Sequence, residues 1–408
     1  MRTSKSAGKT GGAQMDDVIV IGGGVIGLSV AMELAGQGAA VTVLEQGDFG
    51  REASWAGAGI LPPGNLDAAV TPEARLRALS HTLWSDWAES LAAETGIETG
   101  YTRCGGLELR QGVSAPGEEG LDDFASEIEW WRGEGVRVEE LDSDSLREIE
   151  PLVSSEFRAG YRLAELGQVR NPRLIKALLV ACAARGVRLH SGTPAIALEE
   201  LREGSEGEEA HAEDKNRRID AIRTHSGRVR AGRFLVTGGA WSRGLLSSVG
   251  VDVAIKPVRG QMVLLSQTPR LFSHVLQTGS RYLVPRDDGR ILIGSTEEHV
   301  GFVKATTACA ISELLSFGIA RVPALAQARF ECSWSGLRPG SADGLPYLGR
   351  VAGFDNLFIA AGHFRSGLQL SPATARLARQ ALLDQETDIP LEPYQSDRPR
   401  AVAAPART

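Results

Sequence analysis

The sequence predicts an α/β fold that opens on a Rossmann-like βαβ unit and carries a second, α+β region built on an antiparallel sheet. Three observations lead there. Residues 17–22 (Asp-Val-Ile-Val-Ile-Gly) form a β-branched run that passes directly into the spacing Gly22-x-Gly24-x-x-Gly27. A helical repeat at 173–185 is followed at once by a strand pattern at 187–190, the rhythm of a chain returning to its first sheet. Residues 261–265, 281–286 and 291–293 read as meandering strands, which suit antiparallel pairing.

Strand 17–22 has the apolar interior of a central parallel strand buried on both faces. Val25, Leu28, Met32 and Ala35 recur at helical spacing, and Gly36-Gln-Gly38 stops that helix before residues 40–45 make a second strand. Helical patterns follow at 76–91 and 124–131, with an alternating strand at 106–110 between them. Beyond 187–190, residues 199–218 are too charged to pack and read as a solvated loop between two strands. Asp287-Asp288-Gly289-Arg290 joins the strands at 281–286 and 291–293 with a type I′ signature. Residues 356–362 make a last strand, 372–383 a helix with an apolar face, and the tail after about Pro390 is expected to be loosely held.

At 408 residues and 42% hydrophobic content, the chain is long enough to bury a core shared by two domains. A net charge of −7 offers no basic surface to a nucleic acid, so that class of partner is set aside. Cys104, Cys182, Cys309 and Cys332 are too widely spaced for a zinc motif or a disulfide framework, which suits reduced thiols in a cytoplasm and no metal. The uncharged run 18–32 holds four glycines and is too short to span a bilayer, so no integral membrane segment is expected. Residues 1–15 read as a disordered extension; a targeting peptide is disfavoured by their shortness and poor amphipathicity.

Gly22, Gly24 and Gly27 allow a tight turn, close backbone approach to a pyrophosphate, and close packing of helix on strand. Glu45 stands at the end of the second strand, 21 positions past Gly24, where a carboxylate accepts hydrogen bonds from ribose hydroxyls. These features indicate a dinucleotide without a 2′-phosphate, and they do not separate NAD from FAD. Residues 51–60 are glycine- and alanine-rich: an ordinary loop, or a backbone that passes closely over a flat ring. Residues 234–242 are a strand running into a small-residue turn suited to closing over an adenosine.

The distal segments are more specific. They read Trp334-Ser-Gly-Leu-Arg338-Pro-Gly-Ser-Ala-Asp-Gly-Leu-Pro-Tyr-Leu-Gly349 and Ala361-Gly-His-Phe-Arg365-Ser-Gly-Leu-Gln-Leu-Ser-Pro-Ala-Thr374. Together with residues 53–60 they resemble the glycine oxidases of thiamine biosynthesis, within the D-amino-acid oxidase and sarcosine oxidase superfamily, over roughly residues 16–390. The resemblance implies a Rossmann-like FAD-binding domain (16–85, 166–250 and 331–390) and an interrupted α+β substrate domain (86–165 and 251–330) with a large antiparallel sheet. Residues 391–408 are then a tail.

By the same resemblance, FAD contacts fall on Val25 and Ile26, on Glu45 and Gln46 at the ribose, and on Ala53 and Ser54. They continue at Ala58, Gly59 and Ile60 beside the flavin and at Val169 near the adenine. The last set is His363, Phe364, Arg365, Ser366, Gly367, Leu368 and Gln369. Arg338 takes the place of the carboxylate-binding arginine, Arg365 that of a second substrate-site arginine, and Tyr282 that of the pocket tyrosine. Ser280 departs from the family, some members of which carry a histidine there.

An arginine fork on the substrate carboxylate, Arg338 in a Gly-Leu-Arg-Pro-Gly turn, would aim the Cα hydrogen at flavin N5. The expected reaction is hydride transfer from the neutral amine, hydrolysis of the imine to oxo acid and ammonia, and reoxidation by O2 to peroxide. It needs no side-chain acid or base, so His363 is not assigned as one. The positive end of the helix after Ser366-Gly367 would stabilise negative charge on the reduced ring. Expected substrates are glycine, sarcosine and small D-amino acids. A D-amino-acid dehydrogenase, a sarcosine oxidase and a non-catalytic flavin-binding module are the competing readings. Some sarcosine oxidases attach FAD through a cysteine close to the position of Arg338, and the nearest here, Cys332, is several residues away; by that resemblance noncovalent FAD is expected, in a homo-oligomeric enzyme.

Overall fold

The computed structural model describes residues 16–111, 121–201 and 217–399; the expected extension at 1–15, most of the charged loop and the last residues of the tail lie outside the described residues. Asp16–Ile21 is a central strand, parallel to Val41–Leu44 on one side and to Ala231–Val236 on the other. The six-stranded sheet runs in the order Tyr347–Arg350, Leu357–Ala361, Ala231–Val236, Asp16–Ile21, Val41–Leu44, Arg188–His190. Its one antiparallel member is the edge strand Tyr347–Arg350. Period-2 geometry explains the unbroken apolar run of the first strand. Val18 and Val20 point into a layer of helices, while Ile19 and Ile21 point into the cluster shared with Leu198, Ile219 and Ile222 of a three-stranded antiparallel sheet.

The helical layer is Val25–Gly36, flanked by Asn171–Ala184 and Ser371–Leu382 and backed by Pro72–Thr95. Pro72–Thr95 starts where the Thr71 hydroxyl accepts from the Ala74 N–H at 3.1 Å, with Pro72 in the first turn, and stops at Gly96 in a left-handed conformation. This helix crosses the expected domain boundary at 85/86. Leu76, Leu79, Trp84, Ala88 and Leu91 all pack into the one helical core, so nothing divides it there.

The eight-stranded sheet runs Arg329–Ser341, Ile255–Ser266, Arg290–Gly294, Arg281–Pro285, Val275–Thr278, Gly106–Gln111, Phe157–Leu163, Glu139–Asp142. Every pairing is antiparallel except that of Val275–Thr278 with Gly106–Gln111, where the two stretches of chain meet. Four expectations are corrected. The Gly-Leu-Arg-Pro-Gly stretch around Arg338 is strand, not turn, and carries this sheet past the expected boundary at 330/331; Pro339 is tolerated because the strand is at the edge. The 286–290 connection is not type I′: Asp287 and Asp288 keep negative φ and Gly289 alone is left-handed (φ 79°), a type I turn with a glycine bulge. Glu199 and Glu200 belong to the strand Ala197–Glu200 rather than to the loop. The tail is held as far as Arg398: Tyr394 is buried with its hydroxyl donating to the Pro72 carbonyl, and Arg398 forks Asp343. Among the described residues no helix is long and apolar enough to cross a membrane.

Glu108, on Gly106–Gln111, is buried and accepts the Gly279 N–H at 2.7 Å. Burial, with the charge of Glu127 adding to it, pushes its carboxyl up to about 8. The native state therefore keeps this proton while the unfolded chain releases it near the ordinary carboxylate value. Stability from this group is full below that value and is lost as pH rises towards about 8, by a few kcal/mol as an upper bound. Glu108→Gln keeps the acceptor and removes the slope. Its thermal-melting gain over the parent protein should widen between pH 5 and pH 8, and an equal gain at both would contradict the assignment.

Candidate active site

The first strand ends at Ile21, and Gly22 turns the chain at φ 114°; a Cβ there would come 2.5 Å from the Thr237 carbonyl oxygen. Gly24 caps the following helix in an extended conformation. It offers no side-chain cap, and the first turn holds no acidic residue, so apart from the Val25 N–H, which Ser54 takes, the helix N-terminus is left to an anion. A Cβ on Gly27 would overlap the Gly22 carbonyl oxygen and lie 2.7 Å from Thr237 Oγ1, so this residue serves packing. Glu45 is buried at the end of the second strand. Its two oxygens accept the Gly23 N–H at 2.8 Å and the Gly47 N–H at 2.9 Å, which holds the carboxylate facing the cavity beside Gln46.

The segment after the second strand is a short helix, Ala53–Ala56, running into an extended stretch. Ser54 Oγ accepts the Val25 N–H at 2.9 Å. Asn171 donates to the Ser54 and Gly57 carbonyls at 3.0 and 2.7 Å. Arg286, buried without a carboxylate partner, donates to Ala58 O (2.7 Å), Val169 O (3.1 Å) and Gln168 Oε1 (2.6 Å). Burial lowers its pKa to about 10, so it remains charged at neutral pH and pins this wall.

Two adjoining cavities result. The larger, of about 370 Å3, runs from Gly22, Gly24, Val25, Ile26, Glu45 and Gln46 past Ala53 and Ser54 to His363, Phe364, Gly367 and Leu368. The smaller, of about 260 Å3, is bounded by Ala58, Gly59, Ile60, Met262, Ser280, Tyr282, Ser366 and Gln369. Arg338 and Arg365 line both, as do Ala53 and Leu368.

Arg338 is half-buried, and its fork donates to Thr296 O at 3.0 Å and Ser295 Oγ at 2.6 Å, both neutral. Burial lowers its pKa, and the neighbouring Tyr282 hydroxyl acts in the opposite sense. Gly260, across the strand pair, makes room for the guanidinium; a Cβ there would sit 2.5 Å from Arg338 Cζ. Arg365 is ion-paired to Glu297 at the rim. His363 is buried, shares a hydrogen bond with Thr374 Oγ1 at 3.0 Å, and is driven by burial to about 3, so it is neutral. Phe364, in a left-handed conformation, donates its N–H to Pro339 O and ties this loop to the strand of Arg338.

Two expected contacts fall elsewhere. Gly27 lines neither cavity. Val169 lines neither as well: it is fully buried in the helical core, its N–H donating to Gly59 O at 2.8 Å. The apolar wall beside Glu45 is Ala195 and Ile196, reached through the Thr193 N–H donating to Glu45 O. Their place just past the C-terminal end of a parallel strand, where ligands of open α/β sheets sit, is the signal that could have found them. Asn171 and Arg286 carried no such signal.

A glycine turn on a central parallel strand, a buried acid at the end of the next, and an arginine with neutral partners in an adjoining cavity are the features of a dinucleotide-dependent enzyme with a pocket fit for an anionic group. The model of the FAD dependent oxidoreductase family matches residues 17–381, and the chain belongs to that family. It is 34% identical over 380 residues to glycine oxidase of Pseudomonas putida, covering 92% of this chain and 97% of that protein. It is 32% identical to the bifunctional protein ThiO/ThiG of a Synechocystis species, covering 94% of this chain and 54% of that protein. The crystal structure of glycine oxidase from Geobacillus kaustophilus matches with a TM-score of 0.84 at 31% identity, over 94% of this chain and 99% of that one. The open helix N-terminus, the Gly22 turn and the buried Glu45 fit FAD.

Proposed function

We propose that this protein oxidises glycine and related small amines, sarcosine and small D-amino acids among them, with O2. Hydrolysis of the imine gives the oxo acid with ammonia, or with methylamine when the substrate is sarcosine, O2 is reduced to hydrogen peroxide, and the glycine-derived imine that is not hydrolysed supplies the thiazole of thiamine. One observation carries the reading: a half-buried guanidinium, Arg338, held by neutral acceptors alone where the small cavity adjoins the dinucleotide cavity. The similarity to glycine oxidases supports it.

FAD supplies a two-electron acceptor that O2 restores. Arg338 binds the substrate carboxylate through two charge-assisted bonds, Tyr282 adds its hydroxyl to the same group, and the amine is left towards the dinucleotide side. Among the described residues, no carboxylate, imidazole or amine lines the smaller cavity, which supports a reaction without a side-chain base. His363, neutral and bonded to Thr374, positions its loop.

Anaerobic mixing with glycine should bleach the flavin absorbance, and air should restore it with release of peroxide. No bleaching with glycine, sarcosine or any D-amino acid would favour a binding module; bleaching that air does not reverse would favour a dehydrogenase. FAD is held noncovalently in this reading, since none of the four cysteines lines either cavity. Acid denaturation should therefore release all the yellow colour to the supernatant, and colour kept in the pellet would overturn that. The same reading carries a homo-oligomeric, cytoplasmic enzyme, which sedimentation and fractionation check.

A further inference from the structure

The smaller cavity holds two guanidinium groups, yet they are not equally available. Arg338 has neutral partners only, and its charge is left for a substrate carboxylate. Arg365 is engaged by the carboxylate of Glu297. Both conditions come from one short stretch: Ser295 Oγ and Thr296 O hold Arg338, and the next residue, Glu297, neutralises Arg365. Glu298 is not an alternative partner, because it is committed to Arg259, to Gln261 Nε2 at 2.8 Å and to Thr296 Oγ1 at 2.6 Å. The pocket is thus built with one unmatched positive charge.

Resting on the proposed function, we propose that Glu297 sets the charge selectivity of this enzyme, admitting amines with one carboxylate and rejecting those with two. A second carboxylate, on the nitrogen or on the side chain, would find Arg365 already matched. It would also approach Glu297 itself, a like charge at the exposed rim of the pocket. Arg365 and Glu297 are each about one-third exposed (34% and 36%), so the pair alone is weak and the fold does not depend on it. What persists when the pair opens is the negative charge at the rim. Arg338 feels this charge as well: Glu297 favours its protonated form and Arg365 opposes it.

The test uses the FAD-loaded enzyme with glycine and iminodiacetate as substrates. In Glu297→Gln the ratio of kcat/KM for iminodiacetate to that for glycine should rise by roughly tenfold or more, the worth of one charge-assisted bond. In the double variant Glu297→Gln, Arg365→Gln that gain should vanish. Equilibrium binding of malonate against acetate, read by perturbation of flavin absorbance, should shift in the same sense and needs no turnover. Unchanged ratios in Glu297→Gln, or a gain that survives loss of Arg365, would overturn the assignment. If the parent protein oxidises no amine, the proposed function fails instead, and the malonate-to-acetate ratio still decides whether Glu297 selects by charge.

Discussion

Arg338→Ala should lower kcat/KM for glycine by roughly ten- to 150-fold, mostly through a higher apparent substrate constant, which corresponds to a loss of about 1.5–3 kcal/mol of charge-assisted binding. The guanidinium faces the cavities and its two fixed bonds, to Thr296 O and Ser295 Oγ, leave its charge uncompensated. Arg338→Lys should recover little, since a point charge cannot both keep those bonds and grip a planar carboxylate. The fold should survive, because Arg338 stands on an edge strand whose ladder to Ile255–Ser266 is made by backbone. Flavin content and melting temperature serve as the controls. Normal turnover of glycine by Arg338→Ala would refute its role.

Gly27→Ala should yield little or no flavin-loaded protein. The added methyl group overlaps the Gly22 carbonyl oxygen and meets Thr237 Oγ1, which itself donates to Ile21 O at 3.0 Å and Gly22 O at 2.8 Å. Overpacking against side chains costs about 1–3 kcal/mol; here the obstacle is backbone, which cannot rotate aside. The helix Val25–Gly36 must lift off the strand, and its N-terminus then leaves the cavity wall. Gly38→Ala is the comparison: its φ of 85° makes alanine strained, but nothing lies within 4 Å of the new atom, so only a modest loss of stability is expected. The ratio of flavin to protein absorbance after purification, with thermal melting, separates the two. A fully yellow Gly27→Ala protein melting like its parent would remove the packing argument.

Much of this molecule is legible in its residue order, but unevenly. The βαβ opening could be read because its signals are local: a β-branched run, a 3.6-residue repeat, glycines at fixed offsets. The return of 187–190 to the first sheet was legible for the same reason, and Arg188–His190 pairs with Val41–Leu44. Arg338 drew attention as an arginine in a glycine- and proline-rich stretch, yet that composition pointed to a turn; only pairing with Ile255–Ser266 makes it strand. Val169 shows the opposite failure. Its local sequence says nothing of which side of the helical core it faces, and it lies buried while Ala195 and Ile196 take the cavity wall.

The sequence by itself determined the dinucleotide turn and the acid that closes the second strand, because each depends on a few neighbouring residues; Arg338, Arg365 and Tyr282 were reached through the family resemblance, and the structure lines the smaller cavity with all three. The tertiary structure alone decided which guanidinium is free. Glu297 and Arg365 are 68 positions apart and meet only because a loop of one sheet crosses a loop of the other, as Arg286 reaches Ala58 across 228. Charge balance in a pocket is a property of distances between such loops, and residue order carries no record of them.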